Sequence, residues 1–202
     1  GGRFTETTAV FGNDLSTLPD FPAEIRAPAG SLAGVSAFQI HFSSKDIHTP
    51  GDSPDVLVAM NPAALKVHQA EIAPGGTIIL NTDAFSKKNL NFAGYESNPI
   101  EDGTLDDYFT LIPIEMNKLV TAACEGLDMS RKFVGRTKNF FALGVLYYMY
   151  DRPLDATEKW LEKKFAGKDV IIEANKRAMN AGYNYADTTE LFTTRFKVEK
   201  AV

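Results

Sequence analysis

The stretch that decides the fold reads Asp55-Val56-Leu57-Val58-Ala59-Met60-Asn61-Pro62. After the aspartate it is apolar on both faces, which is typical of a central strand in a parallel sheet. Asn61 offers a side chain that can cap a helix, and Pro62 suits the first helical position because its missing N–H would have no intrahelical partner there. The stretch therefore predicts a buried strand that leads directly into a helix.

The residues that follow complete a β-α-β unit. Leu65, His68 and Ile72 continue a helix, and the Pro-Gly-Gly sequence at 74–76 ends it. Residues 77–80 then form a second buried strand. Since such units almost always cross right-handed and make their two strands parallel, the sequence predicts an α/β fold, with a mostly parallel, Rossmann-like sheet flanked by helices.

The segments before this unit are shorter. Residues 4–11 predict a helix that Gly12 ends, and residues 15–18 predict a short extended piece. Residues 35–43 alternate as a half-buried strand toward a sheet edge, with Phe38, Ile40 and Phe42 on one side.

After the unit comes a polar stretch, residues 81–107, which predicts a long surface excursion anchored by Leu90 and Phe92. Residues 108–112 predict another strand, which Pro113 punctuates. A helix follows, whose buried face carries Met116, Leu119, Val120 and Ala123.

The C-terminal third predicts helices. One is capped by Thr137 and runs to residue 150; it is apolar nearly all round, so it is either deeply buried or part of a subunit interface. Asp155 with Glu158 predicts a capping box, and Asp169 predicts the cap of a further helix. We expect residues 195–202 to be a linker toward another domain.

A loop at residues 21–34 fits neither a helix nor a strand pattern. Pro22 and Pro28 stiffen it around Arg26, and Gly30 and Gly34 permit tight turns. A guanidinium presented in this way suits a carboxylate or a phosphate group. The alternative is that Arg26 pairs with Glu24 or with a distant acid and only holds the loop in place.

Composition restricts the class of partner. The chain has 202 residues, a net charge of −5 and a pI near 5.3. It has no basic cluster that would favour nucleic acid or an anionic membrane surface, and no apolar run long enough to span a bilayer. Cys124 is the only cysteine, which excludes an intrachain disulfide and fits a reducing cytosol.

The sequence offers no catalytic set. His41, His48 and His68 are far apart and lack a metal-binding spacing. Cys124 lies on the apolar face of a predicted helix, which favours a small core residue over a nucleophile. The glycines near residue 30 do not match a dinucleotide fingerprint, because a strand rather than a helix follows them.

Several motifs occur in an order that resembles the gamma domain of 2-oxoacid:ferredoxin oxidoreductases. They are Phe-Pro-Ala-Glu-Ile-Arg at 21–26, Phe-Gln-Ile at 38–40, the strand at 55–60, Gly-Thr-Ile-Ile at 76–79 and Lys-Asn-Phe-Phe-Ala-Leu-Gly at 138–144. The match looks most like the alpha subunit of 2-oxoglutarate:ferredoxin oxidoreductases. On this resemblance, residues 1–194 are the gamma domain, with a first strand missing before residue 1, and residues 195–202 lead toward a thiamine-pyrimidine-binding domain.

The resemblance implies a cytoplasmic, oligomeric enzyme that forms an acyl-coenzyme A and CO2. It uses thiamine diphosphate and an iron–sulfur cluster, neither bound by this chain, together with a thiamine-pyrophosphate-binding beta subunit and ferredoxin. For this chain it implies coenzyme A or substrate binding by Arg26, Gly30 and Ser31, closure of the active site, and an interface at Asn139 and Gly144. The alternative is a non-catalytic assembly module that binds the partner subunits.

Overall fold

The computed structural model describes residues 2–20, 35–49, 51–192 and 196. The chain divides into two units. The helical unit comprises Gly1–Leu15, Phe42–Ile47 and Met116–Val202, and the sheet unit comprises Ser16–His41 and His48–Glu115.

The helices and strands follow one another along the chain in an α/β order. They are α1 Gly2–Phe11, β1 Asp14–Asp20, β2 Ala37–Ser43, β3 Val56–Ala59, α2 Pro62–His68, β4 Thr77–Asn81, α3 Lys87–Phe92, β5 Thr110–Ile114, α4 Met116–Ala123, α5 Arg131–Val134, α6 Lys138–Met149, α7 Asp155–Lys164 and α8 Asp169–Thr188. The predicted fold class, including the helical C-terminal third, is confirmed.

The sheet unit contains a parallel sheet in the order β3-β4-β5. Val56 lies opposite Thr77, and Thr77 lies opposite Thr110. β4 is the central strand among those described and is buried from Ile78 to Asn81. The prediction that residues 55–60 form a central strand is therefore wrong for the described sheet, where β3 lies at an edge. An apolar pattern reports burial of the two faces, whereas strand order depends on which neighbours supply hydrogen bonds.

The helical connection from β3 to β4 is confirmed, although its α-helix is shorter than predicted. Asn61 caps α2, since its Oδ1 accepts a hydrogen bond from the Ala64 backbone N–H at 2.9 Å. Leu65 and His68 lie on α2 and are buried. Ile72 was predicted to continue this helix, but it lies beyond the helix end in an extended conformation, although it is buried. At Gly76 a Cβ would lie 2.8 Å from the Ala73 carbonyl oxygen, so a residue without a side chain lets the chain turn tightly into β4.

Residues 81–107 are less superficial than predicted. Phe85, Leu90 and Leu105 are buried in the core cluster of the sheet unit, together with residues of β3, α2 and β4. Phe92, which was predicted to be an anchor, is 73% exposed. Leu90, the other predicted anchor, is buried as expected, and the segment also contributes Phe85 and Leu105 to the core, which its polar composition did not indicate.

Two edge positions also differ from expectation. Pro113 does not end β5 but lies within it, opposite Leu80 in the register, with its side chain exposed. A proline is tolerated there because β5 is an edge strand among the described ones, and its outer N–H groups need no ladder partner. β1 and β2 form a separate two-stranded sheet, in which Phe38 is exposed.

In the helical unit α6 is buried on most of its surface and packs against α8 and α4. This arrangement supports the buried alternative for the apolar helix. Thr137 occupies the N-cap position of α6 as predicted, but its hydroxyl donates to the Val134 carbonyl oxygen and does not cap the helix. Asp155 and Asp169, predicted to be caps, are the first helical residues of α7 and α8.

Candidate functional site

The predicted anion-binding residues Arg26, Gly30 and Ser31 lie outside the described residues. Their role stays a prediction. Within the described ranges, polar side chains lie together in two places. One is the carboxyl edge of the parallel sheet in the sheet unit, and the other is the surroundings of α6 in the helical unit.

The carboxyl edge of the parallel sheet carries polar residues at each strand end. Asn61 follows β3 closely, Asn81 ends β4, and the exposed Glu115 follows β5. Asn81 is fully buried, and its Nδ2 donates to the Met60 carbonyl oxygen at 3.4 Å, which ties the ends of β3 and β4 together. Ligands of open parallel sheets bind at this edge.

Sequence reasoning did not select Asn81 as a site residue. The signal that could have found it is a polar residue at the end of an otherwise apolar strand, Thr77–Asn81. Because Asn61 is engaged as a helix cap and Asn81 bridges two strands, this edge offers amides for hydrogen bonding and carries no obvious nucleophile or acid–base pair.

A pocket of about 290 Å³ in the helical unit is lined by Gly2, Arg3, Asn139, Phe140 and Leu143. Asn139, predicted to be an interface residue, is exposed there. The Arg3 guanidinium lies 4.0 Å from the centroid of the Trp160 ring and forms an ion pair with Glu6. The pocket is therefore lined by apolar side chains and by Arg3, whose charge is balanced by Glu6. An interface role for Asn139 stays a prediction.

Gly144, the other predicted interface residue, lies at the crossing of α6 and α8. A Cβ on Gly144 would be 2.0 Å from the Met179 carbonyl oxygen, and one on Gly182 would be 2.0 Å from the Phe141 carbonyl oxygen. Glycine is required at both positions because the two helix backbones approach each other directly. The structure thus gives Gly144 a packing role within the chain, while its role between subunits stays untested.

A buried cluster of hydroxyl groups joins three helices of the helical unit. The Tyr147 hydroxyl lies 2.8 Å from Thr7 Oγ1 and 2.7 Å from Thr157 Oγ1, and it donates to the Arg3 carbonyl oxygen at 3.3 Å. Burial raises the pKa of Tyr147 above its ordinary value. A phenol that keeps its proton and is hydrogen-bonded on several sides serves to hold α1, α6 and α7 together.

Arg152 is a buried cation in the same unit, only 2% exposed. Its guanidinium donates to Asn13 Oδ1 and lies 5.7 Å from the centroid of the Phe42 ring. Burial lowers the pKa of Arg152. Its partners belong to this chain, so Arg152 connects the turn after α1 to the end of α6.

The described residues give little support for metal or thiol chemistry. Cys124 is buried, its Sγ donates to the Ala174 carbonyl oxygen at 3.7 Å, and burial raises the pKa of its thiol. Within the described ranges, no group of three or more His, Cys, Asp or Glu side chains is arranged to hold a metal ion. None of the described helices is long and apolar enough to cross a membrane.

Comparison with known proteins extends the motif-based assignment. The family model described as pyruvate ferredoxin/flavodoxin oxidoreductase matches residues 2–185. The chain is 51% identical over 201 residues to the 2-oxoglutarate oxidoreductase subunit KorA of Mycobacterium tuberculosis, covering 100% of this chain and 31% of that protein. It is 26% identical over 183 residues to the ketoisovalerate oxidoreductase subunit VorA of Methanothermobacter marburgensis, covering 87% and 31% respectively.

Two solved structures share the fold. One is the 2-oxoglutarate:ferredoxin oxidoreductase from Magnetococcus marinus with 2-oxoglutarate, coenzyme A and succinyl-CoA bound. Its TM-score is 0.66 at 22% identity, covering 98% of this chain and 29% of that one. The other is the keto/oxoacid ferredoxin oxidoreductase gamma subunit from Geobacter sulfurreducens. Its TM-score is 0.57 at 15% identity, covering 93% and 89%.

The chain spans about a third of the length of these sequence relatives. The resemblance read from the motifs at residues 21–26, 55–60 and 138–144 is confirmed, since the family match includes all three. Because that match runs over nearly the whole sequence, the chain belongs to the pyruvate ferredoxin/flavodoxin oxidoreductase family.

Proposed function

We propose that this chain is the gamma domain of the large subunit of a 2-oxoglutarate:ferredoxin oxidoreductase. The observation that carries the proposal is the 51% identity to a 2-oxoglutarate oxidoreductase subunit, sustained across the whole chain. The reaction decarboxylates the 2-oxo acid, releases CO2, reduces ferredoxin and transfers the acyl group to coenzyme A. Thiamine diphosphate and an iron–sulfur cluster supply this chemistry in the complete complex.

The residues of this chain do not fit an iron–sulfur cluster. Such clusters are held by several cysteine thiolates, whereas the sequence has a single cysteine, which is buried and whose thiol pKa is raised. We therefore place the cluster in another part of the complex. The contribution of this chain is to bind an anionic ligand, to help close the active site and to pack against the catalytic domains.

For the anionic ligand we assign Arg26 with Gly30 and Ser31, a loop that would bind the phosphate groups of coenzyme A or the carboxylates of the substrate. The support is chemical: two prolines stiffen the loop around a guanidinium, and glycines allow the backbone to approach closely. The solved relative of the same fold holds coenzyme A and 2-oxoglutarate. An arginine that only pins the loop remains the alternative.

The test is Arg26→Ala in the intact complex, with ferredoxin reduction as the assay. Loss of a charged hydrogen bond costs roughly 1.5–3 kcal/mol, so the KM for coenzyme A or for 2-oxoglutarate should rise by more than about tenfold. Arg26→Lys, which keeps the charge but loses the fork of donors, should be intermediate.

Arg131→Ala is the matched control, because Arg131 is exposed on α5. Unchanged KM values for both anions in Arg26→Ala, with kcat also unchanged, would leave Arg26 as a structural residue.

A second candidate function is that of an assembly module, and the open pocket beside Asn139 favours it. If α6 and α1 contact the beta subunit there, Asn139→Arg should weaken association of the two purified subunits. Asn91→Arg is the control, since Asn91 is equally exposed but lies on α3 of the sheet unit. Equal association of both variants would contradict this role.

A further inference from the structure

Two aromatic residues beyond α8, Phe192 and Phe196, stack on aromatic rings at the end of α6. The Phe192 ring lies 6.5 Å from the Tyr148 ring at an interplanar angle of 28°, and the Phe196 ring lies 5.4 Å from the Tyr150 ring at 27°. The Phe196 backbone N–H also donates to the Met149 carbonyl oxygen at 2.9 Å. We call these four aromatic residues the aromatic clasp.

A strained turn precedes the clasp. Glu190 has φ +46°, in the left-handed region that residues with a side chain rarely adopt. Its N–H donates to the Asp187 carbonyl at 3.2 Å, and the Leu191 N–H donates to the Ala186 carbonyl at 3.1 Å. This is a Schellman ending without the usual glycine. Strained residues persist where the surrounding structure over-determines them, and here the turn leads the chain to Tyr148.

The clasp is anchored in the core of the helical unit. Tyr150 also packs edge-on against Phe4 at 5.5 Å and Phe42 at 5.0 Å, and these two rings are 5.4 Å apart. Phe4 is buried, whereas Phe196 is 39% exposed and is the outermost ring of the group. Through Tyr150, Phe196 is therefore joined to aromatic side chains of α1 and β2.

We propose that the aromatic clasp is a positioning device that fixes where the polypeptide leaves the helical unit. The inference rests on the proposed function, since a gamma domain within a large subunit is joined to further domains of that subunit. Phe192 and Phe196 of this chain then cover the end of α6. Holding these two residues limits the orientations open to the next domain, which an active site assembled from several domains requires.

The test uses the full-length subunit and compares wild type with a double variant, Phe192→Ser with Phe196→Ser. Hydrogen exchange at the amide of residue 196 should be slow in the wild type and about tenfold faster in the double variant, from the stacking that is lost. Small-angle scattering should show a larger radius of gyration for the double variant. The single variant Phe196→Tyr keeps a stacking ring, so its exchange rate at residue 196 and its radius of gyration should match those of the wild type.

Phe133→Ser is the control, because Phe133 is 49% exposed on α5 and lies outside the clasp. Fast exchange of the amide of residue 196 in the wild type would show that Phe196 is not held against α6, which would refute the proposal. A slow amide together with an unchanged radius of gyration in the double variant would reduce it to local packing and overturn the positioning role. Neither measurement needs catalysis, so a wild-type complex that fails to reduce ferredoxin would refute the proposed function separately.

Discussion

The contact between α6 and α8 allows a quantitative prediction for Gly144→Ala. The added Cβ would lie 2.0 Å from the Met179 carbonyl oxygen and 2.8 Å from the Tyr183 backbone nitrogen, whereas ordinary contact begins at 3.4 Å. The two helices would have to separate by more than an ångström, because both obstacles are backbone atoms. Overpacking of this kind costs roughly 1–3 kcal/mol, occasionally more, against a gain of about 1 kcal/mol in helix propensity.

Because both obstacles are backbone atoms, we take the upper end of this cost, about 3 kcal/mol. The net loss in the free energy of unfolding is then about 2 kcal/mol, which lowers the Tm by roughly 4–8 °C for a chain of this size. Calorimetry and urea unfolding would measure it. Gly135→Ala is the matched control: Gly135 has φ −58°, and a Cβ there meets nothing within 4 Å, so this variant should be neutral or slightly stabilised.

Equal Tm values for Gly144→Ala and Gly135→Ala would refute the reasoning about the helix crossing. Gly182→Ala should behave like Gly144→Ala, because its Cβ meets the Phe141 carbonyl oxygen at 2.0 Å. The combined variant should lose less than the sum of the two effects, since the first substitution already separates the helices.

Three further predictions concern single side chains. Tyr147→Phe should lower the free energy of unfolding by about 1 kcal/mol. The loss stays small because Thr7 Oγ1 and Thr157 Oγ1 lie 3.5 Å apart and can still form a hydrogen bond with each other. Urea unfolding measures the loss, and a value above about 3 kcal/mol would contradict this reasoning. Glu190→Gly should raise the Tm slightly by relieving the left-handed backbone, and a lower Tm would show that the turn is unstrained. Burial raises the pKa of Tyr95 from 10.0 to about 12, so the folded protein holds the phenol proton more tightly than the unfolded chain does. The free energy of unfolding should therefore fall as the pH rises from 10 to 12, and it should fall less in Tyr95→Phe. Identical pH profiles of unfolding for the wild type and Tyr95→Phe would contradict this prediction.

Much of the fold could be predicted because its signals are local. Asn61 and Pro62 cap and start α2 as expected, since a helix start depends on a few adjacent residues. The predicted starts at Asp155 and Asp169 were wrong by a residue, because an aspartate is favourable throughout the first turn as well as at the cap.

The candidate site was less predictable. Asn81 becomes a bridge only when β3 and β4 are paired, and Gly144 becomes indispensable only where it meets α8. Phe92 and Phe85 are both aromatic residues of one polar segment, yet one is exposed and the other is buried. From composition alone both would be expected to be equally buried, whereas contacts with residues distant along the chain decide which of the two is buried.

The sequence by itself determined the β-α-β unit, the succession of C-terminal helices and the family, because hydrophobic periodicity, helix caps and motifs each depend on residues close together in the sequence. Only the tertiary structure decided that β4 is the central described strand, that Gly144 packs against α8 and that Phe196 lies on Tyr150. Each of these facts joins residues distant along the chain. Which distant groups meet depends on the packing of the whole unit, where close contact is favoured only if the backbones and side chains fit together.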